Sequence, residues 1–161
     1  MKEILLVTLL WTTCAAAQDK VAFFGLTMLD TSPQTAALGP DPAEAARLEA
    51  LEKVVAERFQ AEGYELVDLA PEKVAIDRVA NLAKCYGCDT RIAQRLGAGF
   101  SLVGEVQKVS NLILTMNLQL RDANSGDLVK GGVVDIRGNT DDSWSRGMRY
   151  ILNNRIFKDE K

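Results

Sequence analysis

The clearest pattern in the chain is a strict alternation in which Leu112, Leu114, Met116, Leu118 and Leu120 share one face against Ile113, Thr115, Asn117, Gln119 and Arg121. Period two predicts a strand with one buried and one wetter face. Before it, Phe100, Leu102, Gly104 and Val106 alternate with Ser101, Val103, Glu105 and Gln107, and Ser110-Asn111 supplies a turn. After it, Asn124-Ser125-Gly126-Asp127 turns the chain into Leu128 to Arg137, where Val134 and Ile136 point inward. Three such strands in succession form an antiparallel meander.

The first half of the chain has a different rhythm. Val21 to Leu29 is apolar on both faces, as a central strand covered by helices would be. Asp30 to Pro42 is rich in Asp, Ser, Pro, Gly and Ala and is expected to be a loop. From Ala43 to Glu62 the spacing of Leu48, Leu51, Val55 and Phe59 predicts an amphipathic helix that Gly63 stops. Tyr64 to Leu69 then reads as a strand, so strand, helix and strand make a crossover onto a parallel pair. Glu72 to Ala83 has partial helical spacing in Val74, Val79 and Leu82, and a shorter helix is expected from Thr90 to Leu96 with Asp89 as its cap. At the end, Asp141 or Asp142 is expected to cap a helix that carries Trp144, Met148, Ile151, Leu152 and Ile156 on one side. The fold class that follows is α/β: a mixed sheet of about five strands, with a parallel βαβ start, an antiparallel meander, and helices packed on the sheet.

The first seventeen residues change the picture of where the protein works. Lys2 precedes a short apolar run from Ile4 to Trp11, and Ala15-Ala16-Ala17 offers the small residues of an export cleavage site. The run falls short of the roughly 20 apolar residues of a spanning helix. Residues 1–17 are therefore expected to be a signal peptide and 18–161 a single α/β domain, exported to the periplasm. Cys14 is not preceded by the residues a lipoprotein signal uses, which argues against a lipid anchor.

Charge and composition narrow the chemistry. The net charge is −3 with scattered basic residues, which leaves no electrostatic footprint for nucleic acid. There is no histidine in the chain, so the commonest metal ligand and near-neutral general base are missing. The serines at 101, 143 and 145 have no histidine to activate them. No catalytic residue, cofactor or metal is expected, and an enzyme is the less favoured reading.

Two places carry candidate chemistry. Cys85 and Cys88 flank Tyr86-Gly87 at a joint between helices, where they can form a structural disulfide, exchange disulfides with a partner, or hold half of a metal site between two copies. The structural clip is preferred because no strand leads into the pair and Asp89 follows it. The second place is the strand exit and helix start that bring together Asp135, Arg137, Asn139, Asp141, Asp142, Trp144, Arg146 and Arg149. It reads either as a corner held by Arg-Asp hydrogen bonds around a core tryptophan or as a recognition surface.

Several segments also resemble known families. Val21 to Leu29, Gly63-Tyr64-Glu65-Leu66-Val67-Asp68, Leu96 to Val106 and Leu120 to Leu128 look like the amino-terminal domain of TolB and related envelope proteins. Cys85-Tyr86-Gly87-Cys88, Lys108 to Leu114 and Asp135 to Gly147 are similar to a family of small exported bacterial proteins classed as a domain of unknown function, some members of which are encoded beside quinoprotein alcohol dehydrogenases. The resemblance implies a non-catalytic accessory or binding role, with a partner among periplasmic or envelope proteins. A thiol-disulfide protein using Cys85 and Cys88 and a small-ligand carrier are the alternatives.

Overall fold

Lys20–Asp30 forms the first strand, β1, and Phe100–Ser110, Ile113–Asp122 and Leu128–Arg137 form β3, β4 and β5, with the two-residue β2 at Glu65–Leu66. In this computed structural model, which describes residues 19–158, they make one sheet in the order β2-β1-β3-β4-β5. β1 runs parallel to both β2 and β3, whereas β3, β4 and β5 pair antiparallel. The mixed α/β fold expected from the periodicities is the fold observed. The expected export signal, residues 1–17, and Cys14 lie outside the described residues.

Pro42–Ala61 forms the long helix α2, opened by Asp41, whose side chain accepts from Ala43 N. The helix α5, Asp141–Ile151, continues into a wider turn over Leu152–Ile156. Both pack on the inner sheet face, where Leu51, Val55, Phe59, Trp144, Met148 and Ile151 close over Leu102, Val106, Leu114, Met116, Leu118 and Leu120. The eight-residue helix Cys88–Arg95, here α4, covers the outer face with a smaller cluster of Leu82, Ala83, Ile92 and Val103. β3 is consequently buried on both faces, with Ser101, Val103 and Glu105 covered on its outer side.

Local chemistry shifted several boundaries. The expected loop after β1 contains a short helix, α1, at Pro33–Leu38, because Ser32 accepts from Thr35 N and Pro33 presets the first turn. The strand expected over Tyr64 to Leu69 pairs only through β2. The helix expected over Glu72 to Ala83 breaks into a turn at Ala70–Glu72, α3 at Lys73–Asp77, and a turn at Leu82–Lys84. There the Asn81 side chain accepts from Ala83 N and starts a new turn, which competes with helix continuation.

Two expected caps are replaced. Gly87, in the left-handed region at φ 88°, precedes α4, and Asp89 lies inside its first turn, buried and accepting from Ser101. Thr140 caps α5 in a reciprocal box with Ser143, and Asp141 and Asp142 occupy the first turn, where carboxylates offset the helix dipole. Gly25, at φ 80°, sits in an irregularity where the β1–β3 register shifts between Phe23 and Leu26. The Leu26 N–H released there donates to Glu52 Oε1 of α2 at 2.7 Å.

Candidate functional site

A charged residue in a core-facing position marks the site. Lys108 stands in the inward phase of β3 with Leu102 and Val106, and its side chain is only 2% exposed. Its Nζ lies 2.5 Å from Glu44 Oε1 and 3.3 Å from Asp30 Oδ2, and donates to Thr35 Oγ1 at 3.1 Å. Asp30 ends β1, Thr35 belongs to α1 and Glu44 lies in the first turn of α2. The site therefore forms where β1 and β3 deliver their carboxyl ends, the usual location for sites in parallel sheet pairs.

The network continues outward. Glu44 Oε1 also accepts from Asn139 Nδ2 at 2.6 Å, and Asn139 Oδ1 accepts from Trp144 Nε1 at 2.9 Å and from Arg47 Nη1 at 3.3 Å. Arg47 Nε then donates to Asp141 Oδ1 at 2.7 Å. One connected chain of charge-assisted hydrogen bonds thus runs from a buried ammonium to an exposed carboxylate.

Electrostatics fixes the protonation of Asp30 and Lys108. Burial alone would push the Asp30 carboxyl up, but hydrogen bonds from Thr35 and Ser32 and the ammonium of Lys108 outweigh it and hold the pKa at about 2. Burial pulls the Lys108 amine down, yet Glu44 and Asp30 together raise it above the ordinary lysine value. A lysine held protonated in this way cannot serve as a general base near neutral pH, which removes it as a partner for a serine nucleophile.

Beside the network, α2 and α5 leave an apolar groove of ≈ 220 Å³. Its floor is Leu51, Val54 and Trp144, its α2 wall is thinned by Ala43, Ala46 and Ala50, and Arg47 and Asp141 close one end. Small side chains on α2 open the space, and the tryptophan below is held in one orientation by Asn139.

The candidate residues read from the sequence divide among several places. Asn139, Asp141 and Trp144 come together in the network, and Trp144 is a buried anchor. Asp135 instead faces the other side of the meander and accepts from Thr115 Oγ1 at 2.7 Å. Arg137 is exposed at the end of β5, and Asp142 pairs with Arg146 at 3.2 Å on the exposed flank of α5. Arg149 lies toward the other end of the α2–α5 contact, near Val54, Glu57 and Arg58. Cys85 and Cys88 are joined as a disulfide with Cα atoms 5.5 Å apart, on the outer sheet face opposite the network. Lys108, Glu44, Asp30 and Arg47 were not among the expected site residues.

Among the described residues, no helix is long and apolar enough to cross a membrane. A family model, DUF3280, described as "Protein of unknown function (DUF2380)", matches residues 19–156. Curated proteins give no match to this sequence. Among solved structures, the chain is similar to the LpoB C-terminal domain from Salmonella enterica, at 14% identity and a TM-score of 0.52, covering 77% of this chain and 86% of that one. It is similar to the LpoB C-terminal domain from Escherichia coli at 16% identity and a TM-score of 0.51, covering 78% and 87%. Lipoprotein GNA1162 from Neisseria meningitidis gives 14% identity and a TM-score of 0.52, with coverage of 84% and 96%. At these identities the likeness is one of fold.

Proposed function

We propose that this chain, which belongs to the DUF3280 family, is an exported, non-catalytic binding protein that uses the groove between α2 and α5 to hold a segment of another periplasmic or envelope protein. The observation that carries this reading is the groove itself: an apolar slot beside a locked hydrogen-bond network that fixes both of its walls. Apolar clefts with a few placed polar groups are where proteins hold ligands and partner side chains. Asp41 and Asp141 flank Arg47 at the closed end, so a segment that puts an apolar residue in the slot and a basic residue at this end fits best.

In its finer form the proposal takes the partner from a quinoprotein alcohol-oxidation system and the ancestry from the TolB-like envelope domains, both on sequence resemblance. Residues 1–17 are proposed as the removed signal, leaving 18–161 as the working domain. The presence of lipoprotein GNA1162 among the structures of like fold motivates testing the alternative of a lipid anchor at Cys14. Intact mass of the protein recovered from its host distinguishes a chain beginning at Gln18 from a lipidated one.

A photo-crosslinking residue at Ala46 tests the groove in the host. It is expected to capture one protein, with the captured peptide carrying an apolar residue next to a lysine or arginine. Ala50→Trp, which fills the slot, is expected to abolish that capture while the protein still folds. Capture that persists in Ala50→Trp, or that maps equally to the β5 edge, rejects the groove as the binding site. A small molecule that co-purifies and is displaced by Ala50→Trp would favour the carrier reading of the same slot.

A further inference from the structure

We propose that the Cys85–Cys88 disulfide is a thiol-disulfide exchange site for a partner protein that presents a dithiol, with Cys88 as the exchanging sulfur and Asp89 as the proton carrier for Cys85. The inference is independent of the α2–α5 groove and stands on the opposite face of the sheet. Four observations carry it.

Cys88 is the first residue of α4, so its sulfur sits where the free amide groups of the helix favour a thiolate. Arg91 folds back over the same turn, its Nη1 3.6 Å from the position a Cβ on Gly87 would occupy, and places a cation beside that helix end. Cys85 has a different neighbour: Asp89 is 1% exposed, its Oδ1 lies 3.8 Å from Cys85 Sγ, and its Oδ2 accepts from Ser101 Oγ at 2.7 Å. The Asp89 carboxylate is set against Cys85 Sγ, whereas Cys88 holds the first position of α4 with Arg91 reaching back to Gly87, so the two cysteines differ in their surroundings. Finally, both cysteines are partly exposed, and Tyr86 between them is 98% exposed at φ 55°, so the turn projects toward a partner.

The step balances as a two-electron exchange. A thiolate of the partner attacks Cys88 Sγ; the Cys85–Cys88 bond breaks, and its electron pair leaves on Cys85 Sγ, which takes a proton delivered through Asp89. The mixed disulfide between Cys88 and the partner is then attacked by the partner's second thiol, which loses its proton to solvent and expels Cys88 as a thiolate. The partner dithiol is oxidised to a disulfide, and Cys85 and Cys88 are reduced. In the reverse direction the Cys88 thiolate opens a partner disulfide and releases one partner thiolate, and Asp89 then removes the proton from Cys85 as it attacks Cys88 Sγ and expels the second partner thiolate.

The test uses the folded protein equilibrated with reduced and oxidised glutathione, trapped with an alkylating reagent and read by intact mass. Wild type is expected to convert to the dithiol form as the glutathione pool becomes more reducing, without loss of its thermal transition. Cys88 in Cys85→Ser is expected to attack an aromatic disulfide about 10-fold or more faster than Cys85 in Cys88→Ser at pH 7. Asp89→Asn is expected to slow the attack of Cys85 on a Cys88–glutathione mixed disulfide by about 10-fold or more. If a single-cysteine variant fails to fold, the same order is read on reduced wild type from which cysteine is alkylated first. A bond that stays oxidised in millimolar reduced glutathione, two thiols of equal reactivity, or an Asp89→Asn variant that resolves at the wild-type rate each overturns the proposal.

Discussion

Lys108 shows what a single residue can impose on this protein. Its ammonium is out of water and faces two carboxylates, so removing it leaves Glu44 and Asp30 close to one another without a counter-charge. Breaking a buried pair from one side typically costs about 3–5 kcal/mol, and Lys108→Met is expected to lose that much in urea denaturation. The combined variant Lys108→Met, Glu44→Gln, Asp30→Asn, which removes every charge of the cluster, is expected to recover most of the loss. Asp30 gives the cluster a pH dependence. Its folded pKa of about 2 lies below its ordinary 3.8, so the stability it contributes is complete above pH 4 and is lost as the pH falls toward 2. A shift of this size corresponds to about 2 kcal/mol, which urea titrations at pH 6 and at pH 2 would register, with Asp30→Asn removing that part of the difference. The sequence did hold a trace of this site. Lys108 continues the inward phase of Phe100, Leu102, Gly104 and Val106, and Glu44 continues that of Leu48, Leu51 and Val55. A charge in an apolar phase signals a buried pair, but its partner, here 64 residues away, is supplied only by the tertiary fold.

At the scale of elements, periodicity was sufficient where it was long. The meander, α2 and α5 follow from runs whose apolar faces cover whole turns or strands, and packing reinforces the local preference. Short elements depended instead on individual side-chain hydrogen bonds: Ser32 opened a helix inside an expected loop, and Asn81 started a separate turn inside an expected helix. The same dependence makes caps testable. Thr140→Ala removes the hydroxyl that accepts from Ser143 N and is expected to cost about 1 kcal/mol, seen as a lower Tm. Gly104 tests the sheet, because a Cβ there would stand 2.8 Å from the carbonyl oxygen of Asn117 on β4 and 2.5 Å from Leu26 Cδ2. The backbone oxygen cannot step aside as a side chain can, so Gly104→Ala is expected to destabilise by about 1–3 kcal/mol in the same melt. The separation of Asp135 from Asn139 was illegible in sequence for a related reason. Alternation put Asp135 on the outer side of β5, whereas the turn at Gly138 brings Asn139 inward; proximity in sequence concealed that they face different surfaces.

In the whole molecule, one sheet separates two chemistries, the locked network and groove on its inner side and the disulfide with its buried carboxylate on the outer. β3 supplies both: Lys108 inward, and outward Glu105, which Lys84 and Asn81 meet at 2.8 Å and 2.5 Å. That arrangement governs how the molecule comes apart. An all-apolar interior allows partial docking, since a helix that lifts away exposes oily surface a little at a time. Here, undocking α2 takes Glu44 from Lys108 and undocking the segment around Leu82 takes Lys84 from Glu105, so charges on the central strand lose partners and half-assembled forms are penalised in proportion. Unfolding is therefore expected to be cooperative, with Trp144 fluorescence and far-ultraviolet circular dichroism falling along one denaturation curve, and the charge-free triple variant is the one expected to split them. The two opposite charges on β3 thus act against intermediates: they bind the halves of the chain to a common fate.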